Sequence, residues 1–261
     1  MAKRFRGQVV QITGAASGFG ALAARRFAAE GAKLALSDWN QEGVTAIADS
    51  LTRDGFDVIA DSFSVADDAA QQRHVSRIVE TFGRLDVSLN NAGISNGMAP
   101  LPDIAMDDYD RVMEINAKGV FIGMRHQIPV MRAQGGGAIL NTASAAGLVG
   151  SGYLSAYAAS KHAVIGMTKA AADESARYNI RVNAICPSFA STPMVENMGD
   201  MMGAKHGISR EEAYSKIAAR VPLRRVAEPA EVVQAMLWIC ERDNSFMTGQ
   251  AVAIDGGLTA V

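Results

Sequence analysis

Val9-Val10-Gln11-Ile12-Thr13-Gly14-Ala15-Ala16-Ser17-Gly18-Phe19-Gly20 runs from five strand-like residues straight into a glycine-rich turn and the start of a helix. The helical pattern lasts from Gly18 to Glu30 and is closed by Gly31, after which Lys33 to Ser37 reads as a second strand. Strand, helix and strand in that order form a βαβ unit, and such units feed a parallel sheet. Gly14, Gly18 and Gly20 let the backbone turn sharply, and the helix start offers N–H groups with a partial positive charge and no intrahelical acceptor. A pyrophosphate suits such a turn. Gly18-Phe19-Gly20-Ala21-Leu22-Ala23 also matches the G-x-G-x-x-G/A string, which carries meaning because it sits between a strand and a helix.

Outward from this stretch the alternation continues. Gln41 to Arg53 is helical, Val58 to Ala60 strand-like, Asp67 to Phe82 helical up to Gly83, and Leu85 to Leu89 a fourth strand. Helices around Met106 to Ala133 lead through Gly135-Gly136-Gly137 to the strand Ala138 to Asn141. Ser155 to Tyr178 reads as a long helix with Ser155 as its N-cap, followed by the strand Ile180 to Cys186 that Pro187 stops. The helix Pro229 to Cys240 and the strand Ala251 to Ile254 close the chain, making seven strands. No linker, repeat or low-complexity tract divides residues 1–261, so a single domain is expected. One segment breaks the rhythm: residues 191–225 are Met-rich and polar and follow a strand, where an insertion would cover the ligand crevice of a parallel sheet. It reads equally as a substrate lid or as a surface helical hairpin whose methionines fill gaps.

Composition narrows the function classes. The 261 residues are 49% hydrophobic, 20% charged and only 6% aromatic, so the core is aliphatic and alanine-rich. With 25 Lys+Arg against 27 Asp+Glu there is no global positive field to gather nucleic acid or anionic lipid. Cys186 and Cys240 are too few for a disulfide framework and lack metal-ligand spacing, which fits a reducing, cytoplasmic compartment and no metal. No stretch has the ~18 apolar residues of a membrane span, and no apolar core follows the basic start.

Asp38 ends the second strand, about 20 residues past the turn, where an acid hydrogen-bonds an adenosine ribose. A carboxylate there accepts from both ribose hydroxyls and repels a 2′-phosphate. The neighbours Ser37, Trp39 and Asn40, and Ser17 in the facing loop, supply no cation, so NAD is preferred over NADP. Further on, Tyr157-Ala158-Ala159-Ser160-Lys161 sets a phenol and an ammonium four residues apart on one helix face, and Ser144 follows the preceding strand. A phenol titrates near ~10, so acid–base work near neutrality needs a shift of ~2 to 3 units, or ~3 to 4 kcal/mol. A cation ~4 Å away at an effective dielectric of ~20 supplies ~4 kcal/mol. Tyr153 has Tyr157 rather than a cation four residues on, and His162 points to a different face.

Together these motifs resemble the classical short-chain dehydrogenase/reductase family over essentially the whole chain. They are Thr13-Gly14-x-x-x-Gly18-x-Gly20, Asn90-Asn91-Ala92-Gly93, Asn116 in Ile-Asn-Ala-Lys-Gly, Ser144, Tyr157-x-x-x-Lys161, Pro187 with Thr192, and Asp255-Gly256-Gly257, in family order. The resemblance implies an α/β, Rossmann-like doubly wound domain with a mostly parallel sheet of about seven strands flanked by helices. It implies an oxidoreductase in which Tyr157 is the acid/base, Lys161 holds the nicotinamide ribose, Ser144 hydrogen-bonds the substrate oxygen and Asn116 anchors a water in a proton relay. By the same resemblance Ala92 and Gly93 let the cofactor approach the fourth strand, Asn91 contacts the adenosine side, and Ala190 and Thr192 meet the nicotinamide carboxamide. Two positions depart from the family pattern. Ser64-Val65 stands where Asp-Val often meets the adenine amine, and Ser188 replaces the glycine that usually follows Pro187. Family members of this length commonly form homotetramers, which is expected here.

The segment Ala145 to Leu154 lies between Ser144 and Tyr157 and contains no charge. Gly93 to Met98 and the series Met194, Met198, Met201 and Met202 complete a largely neutral wall, which points to an uncharged secondary alcohol or ketone. Lys205, His206 and Arg210 are the cations that could reach inward from the lid. The alternatives are a 3-oxoacyl-carrier-protein reductase, a polyol or sugar dehydrogenase, and a non-catalytic NAD-binding scaffold. Asp38 and the even charge balance disfavour the first of these, and the presence of Tyr157, Lys161 and Ser144 disfavours the last.

Overall fold

The structure, a computed structural model, describes residues 3–261, and within them not the side chains at 202, 204–206 and 210. The inward reach expected of Lys205, His206 and Arg210, and the place of Met202 in the wall, therefore lie outside the described residues. Seven strands form one sheet: β1 (Val9–Thr13), β2 (Lys33–Asp38), β3 (Val58–Ser62), β4 (Val87–Asn90), β5 (Gly137–Thr142), β6 (Ile180–Pro187) and β7 (Ala251–Ile254). Their order is β3-β2-β1-β4-β5-β6-β7 and every pairing is parallel. The chain winds outward from β1 to β3, then returns past β1 to begin again at β4. A crevice opens beyond the strand ends where the winding reverses, between β1 and β4.

Helices cover both faces, as a fully parallel sheet requires. Side chains alternate along each strand. Val10 and Ile12 of β1 pack with Leu34, Leu36 and Leu89 against α1 (Gly18–Ala29), α2 (Gln41–Arg53) and, late in the chain, Pro229–Cys240. Val9 and Ala35 face the other way, with Ile139 and Val182, toward α3 (Asp68–Phe82), α5 (Gly119–Ala133) and α6 (Ser155–Ser175), with α4 (Met106–Met113) packed on α6. Deleting a buried Leu or Ile from either layer to Ala costs about 2 to 5 kcal/mol.

The hairpin α7 (Pro193–His206) and α8 (Arg210–Ala219) occupies most of the segment expected to interrupt the alternation. The helix Pro229–Cys240 becomes α9. Residues 114–118 form a π-helical turn that joins α4 to α5.

One expected cap is wrong. Ser155 is the first residue of α6, not its N-cap; Leu154 holds the cap position and no side chain there bonds the helix. The donor left over on Tyr157 is satisfied from a distant loop, where Asn96 Oδ1 accepts from Tyr157 N at 3.1 Å. Local sequence reads only the neighbouring serine, whereas the acceptor is supplied by tertiary structure.

A buried polar band crosses the centre of the sheet. Gln127 Nε2 donates to Asn90 Oδ1 (2.8 Å), Asn90 Nδ2 to Asn141 Oδ1 (2.9 Å), and Asn141 Nδ2 to Thr168 Oγ1 (2.9 Å). It ties β4 and β5 to α5 and α6 at the level of the crevice, with each amide partnered as burial demands.

Candidate active site

The crevice is a cleft of about 860 Å³ that runs from the ends of β1 to β3 to the start of α6 and the foot of α7. Its first half is built by the glycine-rich turn. Gly14 has φ +67, a left-handed backbone that glycine adopts without strain, and a Cβ on it would lie 2.8 Å from Ala92 Cα. At Gly20 a Cβ would lie 2.1 Å from Gly14 O, so the turn closes against the helix only with glycine there. Ser17 stands at the N-cap of α1 without capping it, and with Gly14, Gly18 and Phe19 it lines the cleft. Gly20 is buried behind them.

Asp38 ends β2 and is 9% exposed. Its Oδ2 accepts from Ala16 N (3.0 Å) and its Oδ1 from Asn40 N (2.9 Å), so the carboxylate holds the glycine turn while lining the cleft. Each oxygen keeps a lone pair for a further donor. Ser64 and Val65 form the adjoining wall with Phe63. Ser64 Oγ accepts from Ala66 N at 3.3 Å, and the wall carries no carboxylate.

Asn91 lies between the two halves. Its side chain donates to Thr13 O (3.1 Å) and accepts from Thr142 Oγ1 (3.4 Å), while Thr13 Oγ1 accepts from both Asn91 N and Ala92 N at 3.0 Å. Asn91 therefore spends its polar groups clamping β4 to β1 and β5. Its expected contact with the adenosine side is reduced to surface at the cleft, shared with Ala92 and Gly93.

The second half of the cleft gathers Ser144, Tyr157 and Lys161. Helical spacing puts Tyr157 and Lys161 on one face of α6, and the loop after β5 brings Ser144 to them. Lys161 is 3% exposed; its Nζ donates to Thr142 O at 2.8 Å and sits 5.5 Å from the Tyr157 ring centroid. Among the described residues no carboxylate comes within ion-pair distance of it, and burial pulls its pKa down to about 8. Burial also pushes the Tyr157 phenol up, against the opposing hydrogen bond with Ser144. Burial of the phenol thus opposes the lowering that a nearby cation supplies. Desolvation acts on both groups, and the ammonium is turned toward a backbone carbonyl.

Asn116 sits in the π-helical turn, fully buried. Its Oδ1 accepts from Ile94 N and its Nδ2 donates to Ile94 O, both at 2.8 Å, and Nδ2 also donates to Ser160 Oγ at 3.0 Å. The amide is engaged with protein atoms, so the water-anchoring role expected of it does not fall to this side chain's polar atoms alone. Ser160 Oγ in turn donates to Tyr157 O at 2.7 Å. Ala190 and Thr192 line the far edge of the cleft, with Thr192 Oγ1 donating to Ala190 O at 3.3 Å. Ser188 follows Pro187 without adopting a left-handed backbone, so serine is accommodated where the family carries glycine. Tyr153 is 56% exposed, and the His162 ring bonds Ala158 O at 2.9 Å on its own helix.

Beyond Ser144 the wall is largely apolar, formed by Ile94, Val149 and Leu154 on one side and Met194, Val195 and Met198 on the other, and Arg111 and Arg220, which were not singled out from sequence, add two cations to the cleft lining. Thr13, Thr142, Ser160 and Asn96 shape this site without having been given a role from sequence. Thr13 and Ser160 carried a signal, the one heading the glycine-rich motif and the other lying inside the Tyr-x-x-x-Lys spacing.

The family described as Enoyl-(Acyl carrier protein) reductase matches residues 14–259. Levodione reductase of Leifsonia aquatica is 38% identical over 98% of this chain and 96% of its own, and its crystal structure superposes with a TM-score of 0.94. The 3-oxoacyl-[acyl-carrier-protein] reductase of Thermotoga maritima is 40% identical over 98% of this chain and 99% of its own. The crystal structure of an NAD+-bound xylitol dehydrogenase superposes with a TM-score of 0.93 at 34% identity, covering 98% of this chain and all of that one.

Proposed function

The chain belongs to the short-chain dehydrogenase/reductase family, and from that premise we propose that it is an NAD-dependent oxidoreductase interconverting an uncharged secondary alcohol and its ketone. The observation that carries the reading is the cleft itself. One end has a carboxylate beside a glycine turn and the other has a phenol, a hydroxyl and a buried ammonium. A buried ammonium with a single carbonyl partner is costly, and ribose hydroxyls would supply the partners it lacks. The residues therefore fit a dinucleotide. Gly14, Ser17, Gly18 and Phe19 would hold its pyrophosphate, with Gly20 behind them letting the turn close against the helix, while Asp38 would hold the adenosine ribose and Ser64 and Val65 the adenine. Asn91, Ala92 and Gly93 would flank it, Tyr157 and Lys161 would hold the nicotinamide ribose, and Ala190 and Thr192 the carboxamide.

When bound, oxidised nicotinamide supplies a hydride acceptor and a positive charge. In alcohol oxidation Ser144 holds the substrate hydroxyl and Tyr157 takes its proton, while Lys161 favours the phenolate electrostatically. Reduction of a ketone reverses each step, with Tyr157 returning the proton to the carbonyl oxygen. Asn116 and Ser160 brace Tyr157 and the loop at Ile94, and Asn116 belongs to the proton path through its place in that brace.

Asp38 favours NAD because a carboxylate opposes a 2′-phosphate and no cation is bonded to it. The α7–α8 hairpin would act as a lid, since Met194 and Met198 already border the cleft. A homotetramer is in keeping with the exposed Phe121 on α5, Trp238 on α9 and Phe246. Light scattering on the purified protein should read four chains; a clean monomer would refute it. A cytoplasmic location would suit the two free buried cysteines, and among the described residues no helix is long and apolar enough to cross a membrane.

The similarity to the Thermotoga reductase supports a second reading, reduction of a carrier-bound 3-oxoacyl group. One panel separates the two: cyclohexanol, a hydroxysteroid and xylitol with NAD and NADP, followed by NADH or NADPH absorbance, and an acetoacetyl thioester with NADH and NADPH. The account expects oxidation of an uncharged alcohol with NAD and little turnover with NADP. Rapid NADPH-dependent reduction of the thioester, with no alcohol oxidised, would favour the second reading.

A further inference from the structure

We infer that Asn96 is a positioning residue for Tyr157, fixing the proton-transfer group from the loop opposite it. The inference rests on the acid–base reading of Tyr157 and reaches beyond it to a residue outside the cleft.

Tyr157 is the third residue of α6, so its N–H is one of the donors a helix start leaves without an intrahelical acceptor. No side chain at Leu154 caps the helix. Asn96 Oδ1 accepts that proton at 3.1 Å across 61 residues of chain, and Asn96 Nδ2 donates to Gly97 O at 2.8 Å. Both ends of the amide are thus engaged. Asn96 is 5% exposed and is not part of the cleft surface, although Ile94 and Ser95 beside it are. Its place behind the cleft lining, not a lack of polar atoms, keeps it from touching substrate.

Tyr157 O is held as well, by Ser160 Oγ at 2.7 Å, and Ser160 is bonded by Asn116 Nδ2, which also binds Ile94 O. The bonds close a ring from Tyr157 N through Asn96, along the backbone to Ile94, and back through Asn116 and Ser160 to Tyr157 O. A second strap runs from Ala99 N to Tyr153 O at 3.1 Å. The phenol and the substrate wall therefore move as one unit. Opening the ring at Asn96 releases the helix start that carries the phenol. A misplacement of about 1 Å at a reacting group is enough to slow chemistry about a hundredfold.

The test compares wild type, Asn96→Ala, Asn96→Asp and Tyr157→Phe, using the fastest-oxidised alcohol of the panel above with and without deuterium at its carbinol carbon. NADH fluorescence titration and thermal melting report folding. For Asn96→Ala the expected result is NADH affinity within about twofold, KM within about threefold, kcat down about ten- to hundredfold, and a larger isotope effect on kcat. Asn96→Asp, which keeps the acceptor, should recover kcat to within about threefold of wild type. Wild-type kcat and isotope effect in folded Asn96→Ala, with Tyr157→Phe inactive, would overturn the positioning role and leave the acid–base reading standing. A raised KM at unchanged kcat would overturn it too, by making Asn96 a substrate contact. An active Tyr157→Phe would instead remove the premise. If Asn96→Ala does not fold, Asn96→Ser, too short to span the same bond, is judged by the same division between kcat and KM.

Discussion

Lys161 shows how the site sacrifices stability for chemistry. Burial pulls its pKa down to about 8 from an ordinary 10.5, because desolvation penalises the ammonium and the backbone carbonyl of Thr142 is its hydrogen-bond partner. A lysine whose folded pKa is depressed destabilises the fold while protonated, so the penalty is full below about pH 8 and vanishes as the pH rises toward 10.5. The shift corresponds to about 3 kcal/mol, less about 1 kcal/mol for the hydrogen bond. Lys161→Met should therefore stabilise the cofactor-free protein by about 2 kcal/mol at neutral pH in urea unfolding. The gain should shrink between pH 8 and 10.5, and turnover should be lost; destabilisation at pH 7 would contradict the account. Tyr157, Lys161 and Ser144 were legible in the sequence because their spacing and order are local facts. Asn96 was not, because nothing near it in the chain says that its partner lies at residue 157.

At the scale of elements, the strands and most helices follow from periodicity and glycine punctuation. The expected helix Gln41–Arg53 and strand Val9–Thr13 match the structure end to end. The start of α6 was misread since a neighbouring serine imitates a cap that the loop at 96 provides. The strand ends are bound together by polar clamps with no sequence period. Thr13 Oγ1 is the clearest case, accepting from two backbone donors, Asn91 N and Ala92 N. Thr13→Val keeps the shape of the side chain and removes the acceptor, leaving two part-buried N–H groups unpaired. Urea unfolding should show a loss of about 2 to 6 kcal/mol, at about 1 to 3 kcal/mol for each of the two orphaned donors. NADH affinity should fall with it, because the clamp sets the turn at Gly14 against Ala92. A change below about 0.5 kcal/mol would show that water replaces the hydroxyl and that the clamp does little.

Over the whole molecule, the doubly wound order places the crevice where the winding reverses, and the two halves of the chain contribute its two ends. The first half, through β3, brings the glycine turn and Asp38; the second, from β4 onward, brings Ser144, Tyr157 and Lys161. Much of the substrate wall falls to Ile94, Leu154 and the methionines of α7, whose apolar contacts select for size more than for a particular group, while Arg111 and Arg220 put cations on the same lining. Substrate identity was for that reason the least legible feature of the sequence. Because most of the groups that would hold the dinucleotide lie away from the Tyr157 hydroxyl, cofactor binding and proton transfer can be read separately. Tyr157→Phe removes one hydroxyl from one end. Measured side by side, alcohol-dependent NADH formation should fall by at least about a thousandfold. NADH binding by fluorescence titration should stay within a few-fold of wild type. Turnover close to wild type in that variant would contradict the assignment of Tyr157 and, with it, the account of the cleft.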